Sequence, residues 1–362
     1  MQLGLVTAGE SHGPALVAIL TGLPAGLVLR KEAIDADLRR RQQGYGRSPR
    51  QQIEQDEVEV LAGLRHGRTL GTPLALVVRN RDHKNWEWGM SPWPPAGEPS
   101  GKGTKAVTLP RPGHADLAGA LKYGLADVRD ALERASARHT AVVVAAGAVA
   151  KTLLSELGVE VEGSVLGNDL EQRVDEARAE RDTVGGVVEV RARGVPPGLG
   201  SYATKDDRLD ARLAATLMGT QAVKGVEIGE GFALTGKRGS QAHDEILRDD
   251  ERGLFRETNR AGGIEAGISN GEEIVVRAAM KPLPTLMQPL ASVDLESAEP
   301  AQALVERSDT AAVEALAVVA EACVAWELAR AAREKFGGDS LGDFLAAHRT
   351  YLERIDWQPR TR

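Results

Sequence analysis

Two histidines stand in glycine-bracketed segments, Gly9-Glu10-Ser11-His12-Gly13 and Gly113-His114-Ala115-Asp116. Glycine lets a backbone turn tightly and approach a ligand, and imidazole is the side chain whose ordinary titration lies nearest neutrality, so each segment can offer or take a proton at cellular pH. Either segment alone is weak evidence, because a histidine beside glycine is more often an ordinary turn. His66, His83, His139, His243 and His348 lack a tight glycine bracket on both sides, although His83 and His243 fall in polar, loop-like stretches that could border a site.

The cations are grouped as tightly as the histidines. Arg39-Arg40-Arg41 close a predicted helix that starts near Lys31, and Gly44-Tyr45-Gly46-Arg47-Ser48-Pro49-Arg50 follows as a glycine-rich turn. Charge alone fits a solvated helix C-terminus equally well. Arginine rather than lysine, next to glycine turns, favours bidentate recognition of phosphate or carboxylate. A second basic group is Arg134-Ala135-Ser136-Ala137-Arg138. A third set comprises the glycine-rich run from Asn259 to Gly271, then Lys281-Pro282-Leu283-Pro284-Thr285 and Arg307-Ser308-Asp309-Thr310. Glycine-rich backbone exposes N–H donors to anions. None of these has the strand-turn-helix spacing of a dinucleotide fingerprint or the Gly-Lys-Ser/Thr ending of a nucleotide-triphosphate loop, so a Rossmann site is not expected.

The elements that must position these residues are partly legible. β-branched runs predict strands at Leu3–Val6, Val58–Leu61, Leu74–Val78, Val159–Val165, Gly185–Val190 and Ile274–Ala278. Leu117, Leu121, Leu125, Val128 and Leu132 recur at helical steps and predict one helix from about Asp116 to Ala137, with His114 just before its first turn. Ala141 to Leu154 reads as a buried helix, Leu209, Leu213 and Leu217 mark another, and Thr310–Lys335 a longer one stopped by Gly337-Gly338. From Arg81 to Pro112 six prolines, four glycines and Trp86, Trp88 and Trp93 destroy every period. A loop of that length is expected to be a mobile flap over the site.

Composition excludes several classes. The chain of 362 residues, 42% hydrophobic, can bury a large core, and with only 4% aromatic residues the packing must come from Ala, Val and Leu. A net charge of −7 argues against a general polyanion binder. The single Cys323 leaves no intrachain disulfide and no cysteine zinc site, which suits the cytoplasm. Neither a secretory signal nor 18 or so continuous apolar residues are expected from the pattern, so no membrane is implied.

In their order along the chain, Gly9 to Gly13, Arg39-Arg40-Arg41 with Gly44 to Arg47, Gly113 to Asp116 with Lys122-Tyr123-Gly124, Arg134 to Arg138, Val223-Lys224-Gly225-Val226-Glu227-Ile228-Gly229, Asn259 to Gly271 and Arg307-Ser308-Asp309 together resemble the chorismate synthase family. The resemblance covers nearly the whole chain. It implies an α+β fold, a single-domain β-α-β sandwich over residues 1–362 with helices between antiparallel sheets, assembled as a homotetramer. It implies a shikimate-pathway lyase that converts 5-enolpyruvylshikimate 3-phosphate to chorismate and phosphate by 1,4-anti elimination, using reduced FMN without net redox change.

The same resemblance makes His12 the general acid toward the leaving phosphate, His114 the proton partner of the reduced flavin, and Asp309 an aid to proton removal near flavin N5. It assigns Arg134, Ala135, Ser136, Gln241, Ala242, Ala266, Lys281, Pro282, Leu283, Pro284, Thr285 and Arg307 to the flavin, although the family often carries serine where this chain has Ala135. Arg41, Arg47, Arg50 and Arg138 are the expected anion clamps. The family associates Arg41 and Arg47 with NADPH, so their ligand, substrate or reductant, stays open. Two competing readings are an RNA or polyanion binder built on the arginine clusters, which would need no histidines, and a metal-assisted hydrolase using His12, His114 and Asp116. No metal site is expected from ligand spacing.

Overall fold

The computed structural model describes residues 2–47, 55–250, 253–306 and 308–357. Two four-stranded antiparallel sheets face each other across helices. The first comprises β1 (Gly4–Ala8), β2 (Ala15–Thr21), β3 (Val58–Ala62) and β4 (Leu74–Arg79) in the order β1-β2-β4-β3; the second, β5 (Glu160–Leu166), β6 (Gly186–Arg193), β7 (Val223–Ile228) and β8 (Ile274–Met280), repeats that order as β5-β6-β8-β7. The helices are α1 (Lys31–Gln42), α2 (Asp116–Tyr123), α3 (Arg129–Ala135), α4 (Thr140–Ser155), α5 (Leu170–Ala179), α6 (Leu209–Met218), α7 (Gly239–Ala242), α8 (Val313–Phe336) and α9 (Leu341–Ile355).

Sequence chemistry accounts for the layers. In β2, Leu16, Ala18 and Leu20 are fully buried while their neighbours are not, the period-two signature of a half-covered strand. Helices α4 and α8 are buried almost all round, as a helix at the centre of a sandwich must be. They pack on one another, α4 also against the first sheet and α8 against the second, and one continuous apolar core joins both sheets through them. Small residues allow the close approach: a Cβ on Gly147 of α4 would run into Ala322 of α8. The helical stretch Arg129–Ser155 is long and apolar enough to cross a membrane, but two-thirds of its apolar window is buried inside the protein.

A buried polar tie crosses the same layers. Glu321 of α8 accepts from Arg40 of α1 (2.8 Å), from Lys151 of α4 (2.5 Å) and from the backbone N–H of Gly163 in β5 (2.9 Å), while Lys151 also pairs with Asp37. Burial pushes the Glu321 carboxyl up, yet Arg40 and Lys151 prevail and hold it below the ordinary value. Paired in this way, the charge is tolerated inside the core.

The structure departs from the sequence expectations in three places. The predicted helix from Asp116 to Ala137 is two helices, because Gly124 takes a left-handed conformation (φ 67°) and ends α2. Leu117 and Leu121 are consequently 44% and 75% exposed, whereas Val128 and Leu132 are buried. Strands β2 and β7 and helices α5 and α9 were not foreseen. The 81–112 segment begins as a 3-10 turn, Arg81–Asn85, and then runs irregularly, with Trp86 buried and Trp93 exposed.

Candidate active site

His12 lies in the turn between β1 and β2, where Gly9 adopts φ 116° and a Cβ would meet the carbonyl of Ala15. Its ring is held at one edge and on one face. Glu133 of α3, almost fully buried, accepts the backbone N–H of His12 at Oε2 (2.8 Å) and faces Nδ1 with Oε1 (2.8 Å). Trp86 stacks on the imidazole with ring centroids 4.0 Å apart and planes 20° from parallel. The Arg129 guanidinium lies 4.9 Å from the Trp86 ring and 3.5 Å from Glu133, which closes a circuit of four side chains. The Trp86 indole N–H in turn donates to Asp82 (3.0 Å), and His83 Nδ1 donates to the carbonyl of His12 (2.9 Å). Burial pushes the Glu133 carboxyl up, but the hydrogen bonds from His12 and the charge of Arg129 hold it below its ordinary value. An ionised carboxylate only accepts, so the proton in this pair sits on Nδ1 of His12.

His114 occupies the turn that leads into α2, after Gly113 at φ 79°. Its Nδ1 lies 2.5 Å from Oδ1 of Asp116, a carboxylate with no solvent exposure. Asp116 also accepts from the backbone N–H, Nε and Nη2 of Arg111 (3.0, 2.8 and 3.1 Å), and Arg111 continues to Thr285 (3.0 Å). Burial works against the charge, but His114 and Arg111 outweigh it and hold Asp116 well below the usual carboxylate range. Lys281 donates to the carbonyl of Gly113 and joins the two segments.

The arginines converge from α1 and the start of α4. Arg41 donates from Nε to Thr140 (2.8 Å) and from Nη2 to the carbonyl of Ala137 (3.0 Å), and its Nη1 lies 3.5 Å from Asp56. Arg138 pairs with the same Asp56 (2.7 Å) and donates to Asn80 (2.9 Å). Arg47 pairs with Asp309 (2.8 Å), and among the described residues its buried Nε has no partner. Burial and the neighbouring Arg138 and Arg47 bring Arg41 down to about 9 against the pull of Asp56; burial likewise lowers Arg47. Both remain cationic at neutral pH, in a place where an anion would relieve the crowding.

These groups meet in one cavity of about 500 Å³, a size typical of small-molecule and cofactor sites. It is lined by His12, His114, Asp309, Arg41, Arg47, Arg138, Ala135, Ser136, Lys281, Leu283, Pro284 and Thr285, all singled out from the sequence. Arg134 and Pro282 flank it without lining it; Arg134 is exposed and donates to the carbonyl of Thr7 (3.3 Å). Gln241 and Ala242 lie on α7, and Ala266 sits exposed at φ 49° in the turn of the Ile264–Ser269 hairpin; none of the three lines the cavity of this chain. Arg50 and Arg307 fall outside the described residues. Sequence reasoning missed Arg111, which lines the cavity, and Glu133, which lies behind His12. Glu133 is an ordinary helix charge in sequence that only the fold brings to His12, whereas Arg111 lies three residues before His114 in a loop with no period to mark it. Among the described residues no three His, Cys, Asp or Glu side chains are grouped to hold a metal ion.

Comparison with known proteins follows from this geometry. The family model described as chorismate synthase matches residues 3–169 and 166–332. A relative named chorismate synthase from Desulforudis audaxviator is 53% identical, covering 98% of each chain, and one from Pelobacter propionicus is 51% identical, covering 98% of this chain and 99% of its own. A solved structure described as "Crystal Structure of Chorismate Synthase" superposes with a TM-score of 0.78 at 37% identity, covering 98% of both chains.

Proposed function

The chain belongs to the chorismate synthase family, and on that premise we propose how its cavity converts 5-enolpyruvylshikimate 3-phosphate to chorismate and phosphate by 1,4-anti elimination. The observation that carries the reading is the convergence of two carboxylate-held histidines with Arg41, Arg47, Arg111, Arg138 and Lys281 on one cavity, within a chain of net charge −7. The substrate brings a phosphate and two carboxylates, so its recognition needs such a local excess of cations. Arg41, Arg47 and Arg138, with Arg50, clamp these anions. The unpartnered Nε of Arg47 is a donor awaiting one.

As the C–O bond to phosphate breaks, negative charge builds on the leaving oxygen, and His12 supplies its proton. His114 is the proton partner of the cofactor, and Asp309, held by Arg47, lies on the same wall to assist removal of the substrate proton. Reduced FMN, when bound, supplies transient electron density to the allylic system. The cavity fits such a group: Leu132, Met280, Leu283 and Leu316 give apolar wall for a flat ring, while Ser136, Lys281 and Thr285 give donors for its polar edge and phosphate. Ala135 and Pro284 line the same cavity, Arg134 and Pro282 flank it, and the family resemblance adds Arg307 to the flavin contacts. Gln241, Ala242 and Ala266 lie away from the cavity of their own chain, and in a homotetramer they would reach a cofactor across a subunit boundary. Residues 1–362 act as one unit, 81–112 as its cover, in the cytoplasm, where the single Cys323 needs no oxidising environment.

The test is phosphate release under anaerobic conditions. Enzyme with reduced FMN releases phosphate from 5-enolpyruvylshikimate 3-phosphate, and enzyme with oxidised FMN does not; equal release without flavin defeats the reading. Adding NADPH to oxidised FMN in the same assay tests whether the enzyme reduces its own flavin.

A further inference from the structure

Glu133 does not line the cavity, yet it makes the two bonds that determine what His12 can present there. We propose that Glu133 is a positioning residue for the elimination, acting through His12: its paired oxygens take the backbone N–H and the Nδ1 proton, so that Nε2 is the nitrogen that exchanges protons with the substrate. The inference rests on the assignment of His12 as the acid toward phosphate.

His12 turns two donors toward α3, and a carboxylate is the side chain that offers two acceptors in one plane at 2.8 Å each. The backbone N–H cannot change its character, so one oxygen is always committed to it. The other oxygen therefore sets the tautomer, and with the neutral proton on Nδ1 the opposite ring edge is an acceptor that becomes a donor on protonation. When phosphate departs with the C–O electron pair, it takes the proton from Nε2, and the Nδ1 proton stays where it is. No proton passes to Glu133. The rest of the circuit removes other freedoms: Ser11 N–H donates to the Glu133 carbonyl (3.1 Å), which ties the turn to α3, and Trp86 against the ring face opposes flipping. The His12 donors themselves, with Arg129 at 3.5 Å adding to them, hold the Glu133 carboxyl below its ordinary value against burial.

Glu133→Gln keeps the size of the side chain but changes the matching, and it also removes the charge that pairs with Arg129. An amide has one acceptor and one donor; its oxygen must serve the fixed backbone N–H, which turns its NH₂ toward Nδ1. The ring then holds its neutral proton on Nε2, and full protonation would set one N–H against another. Loss of an orienting partner typically costs about 10–100-fold in activity, and it falls on kcat because Glu133 touches no ligand.

The experiment measures kcat and KM for anaerobic phosphate release with reduced FMN in the wild type, His12→Ala, Glu133→Gln and the double variant. Expected are a kcat lowered about 10–100-fold in Glu133→Gln with KM changed less than about threefold, and a double variant no slower than His12→Ala alone. A crippled His12→Ala beside a wild-type-like Glu133→Gln overturns the positioning role, as do losses that multiply in the double variant. A His12→Ala enzyme at the wild-type rate overturns both this role and the assignment of His12. Independently of whether Glu133→Gln folds, ¹⁵N spectra of histidine-labelled wild type should show the resonance absent from His12→Ala as the Nδ1–H tautomer; an Nε2–H tautomer there sinks the proposal.

Discussion

Each cavity histidine spends one ring nitrogen on a buried carboxylate, and that division of labour decides what substitution should do. On the proposed roles, Ala at His12 or at His114 removes a proton-transfer group but leaves the proposed flavin contacts Lys281 and Thr285, so flavin binding should persist while turnover falls about 10²–10⁴-fold. Normal turnover in both variants, read in the anaerobic assay, would remove their catalytic roles. His139 behaves differently. Burial, with the charges of Arg134 and Arg41, brings it down to about 4 from an ordinary 6.5, and its Nε2 pairs with Thr7 (2.7 Å). As pH falls through 6.5 the unfolded chain takes up this proton and the folded chain does not, so the stability this group contributes is present above 6.5 and lost on the way to 4. His139→Gln should flatten the dependence of the urea midpoint on pH across that window; parallel curves for variant and wild type would refute the account. The two histidine motifs and most arginines were legible in the sequence because glycine brackets and clustered guanidinia are local features. Glu133 and Asp56 were not, since each acquires meaning only through a partner that folding brings near.

At the scale of elements, periodicity was informative where one face is buried and misleading where a glycine intervenes. Strands β1, β3, β4, β5, β6 and β8 and helices α1, α4, α6 and α8 follow from their apolar patterns. The 116–137 pattern continued in register through Gly124, and nothing in the leucine spacing reveals that the chain turns there and leaves Leu121 in solvent. Strand β7, Val-Lys-Gly-Val-Glu-Ile, lacks the continuous β-branched run that marks its neighbours. The contact between α4 and α8 is where sequence and packing agree most closely. Gly147→Ala should lower stability by about 1–3 kcal/mol, because the new methyl meets Ala322 and both helices are confined between sheets. An unchanged denaturation midpoint would mean that the helices separate freely.

For the molecule as a whole, an acidic protein must draw in a substrate that carries three anionic groups. The net charge of −7 repels it at long range, and the cavity cations attract it at short range. Salt screens exposed charges beyond about 10 Å at 0.1 M and buried ones much less. Raising ionic strength from about 0.05 to about 0.5 M should therefore raise KM by less than an order of magnitude and leave kcat nearly unchanged. A steep collapse would indicate that binding depends on surface charge instead of the sheltered arginines.

Trp86 belongs to the 81–112 segment and yet is wedged between an imidazole and a guanidinium. A stacked imidazole quenches indole emission when protonated, so this tryptophan should be dim while it rests on His12 and brighten if the segment lifts, with Trp86→Phe as the blank against the other four. The protein thus carries its own optical gauge of whether this segment is docked on His12.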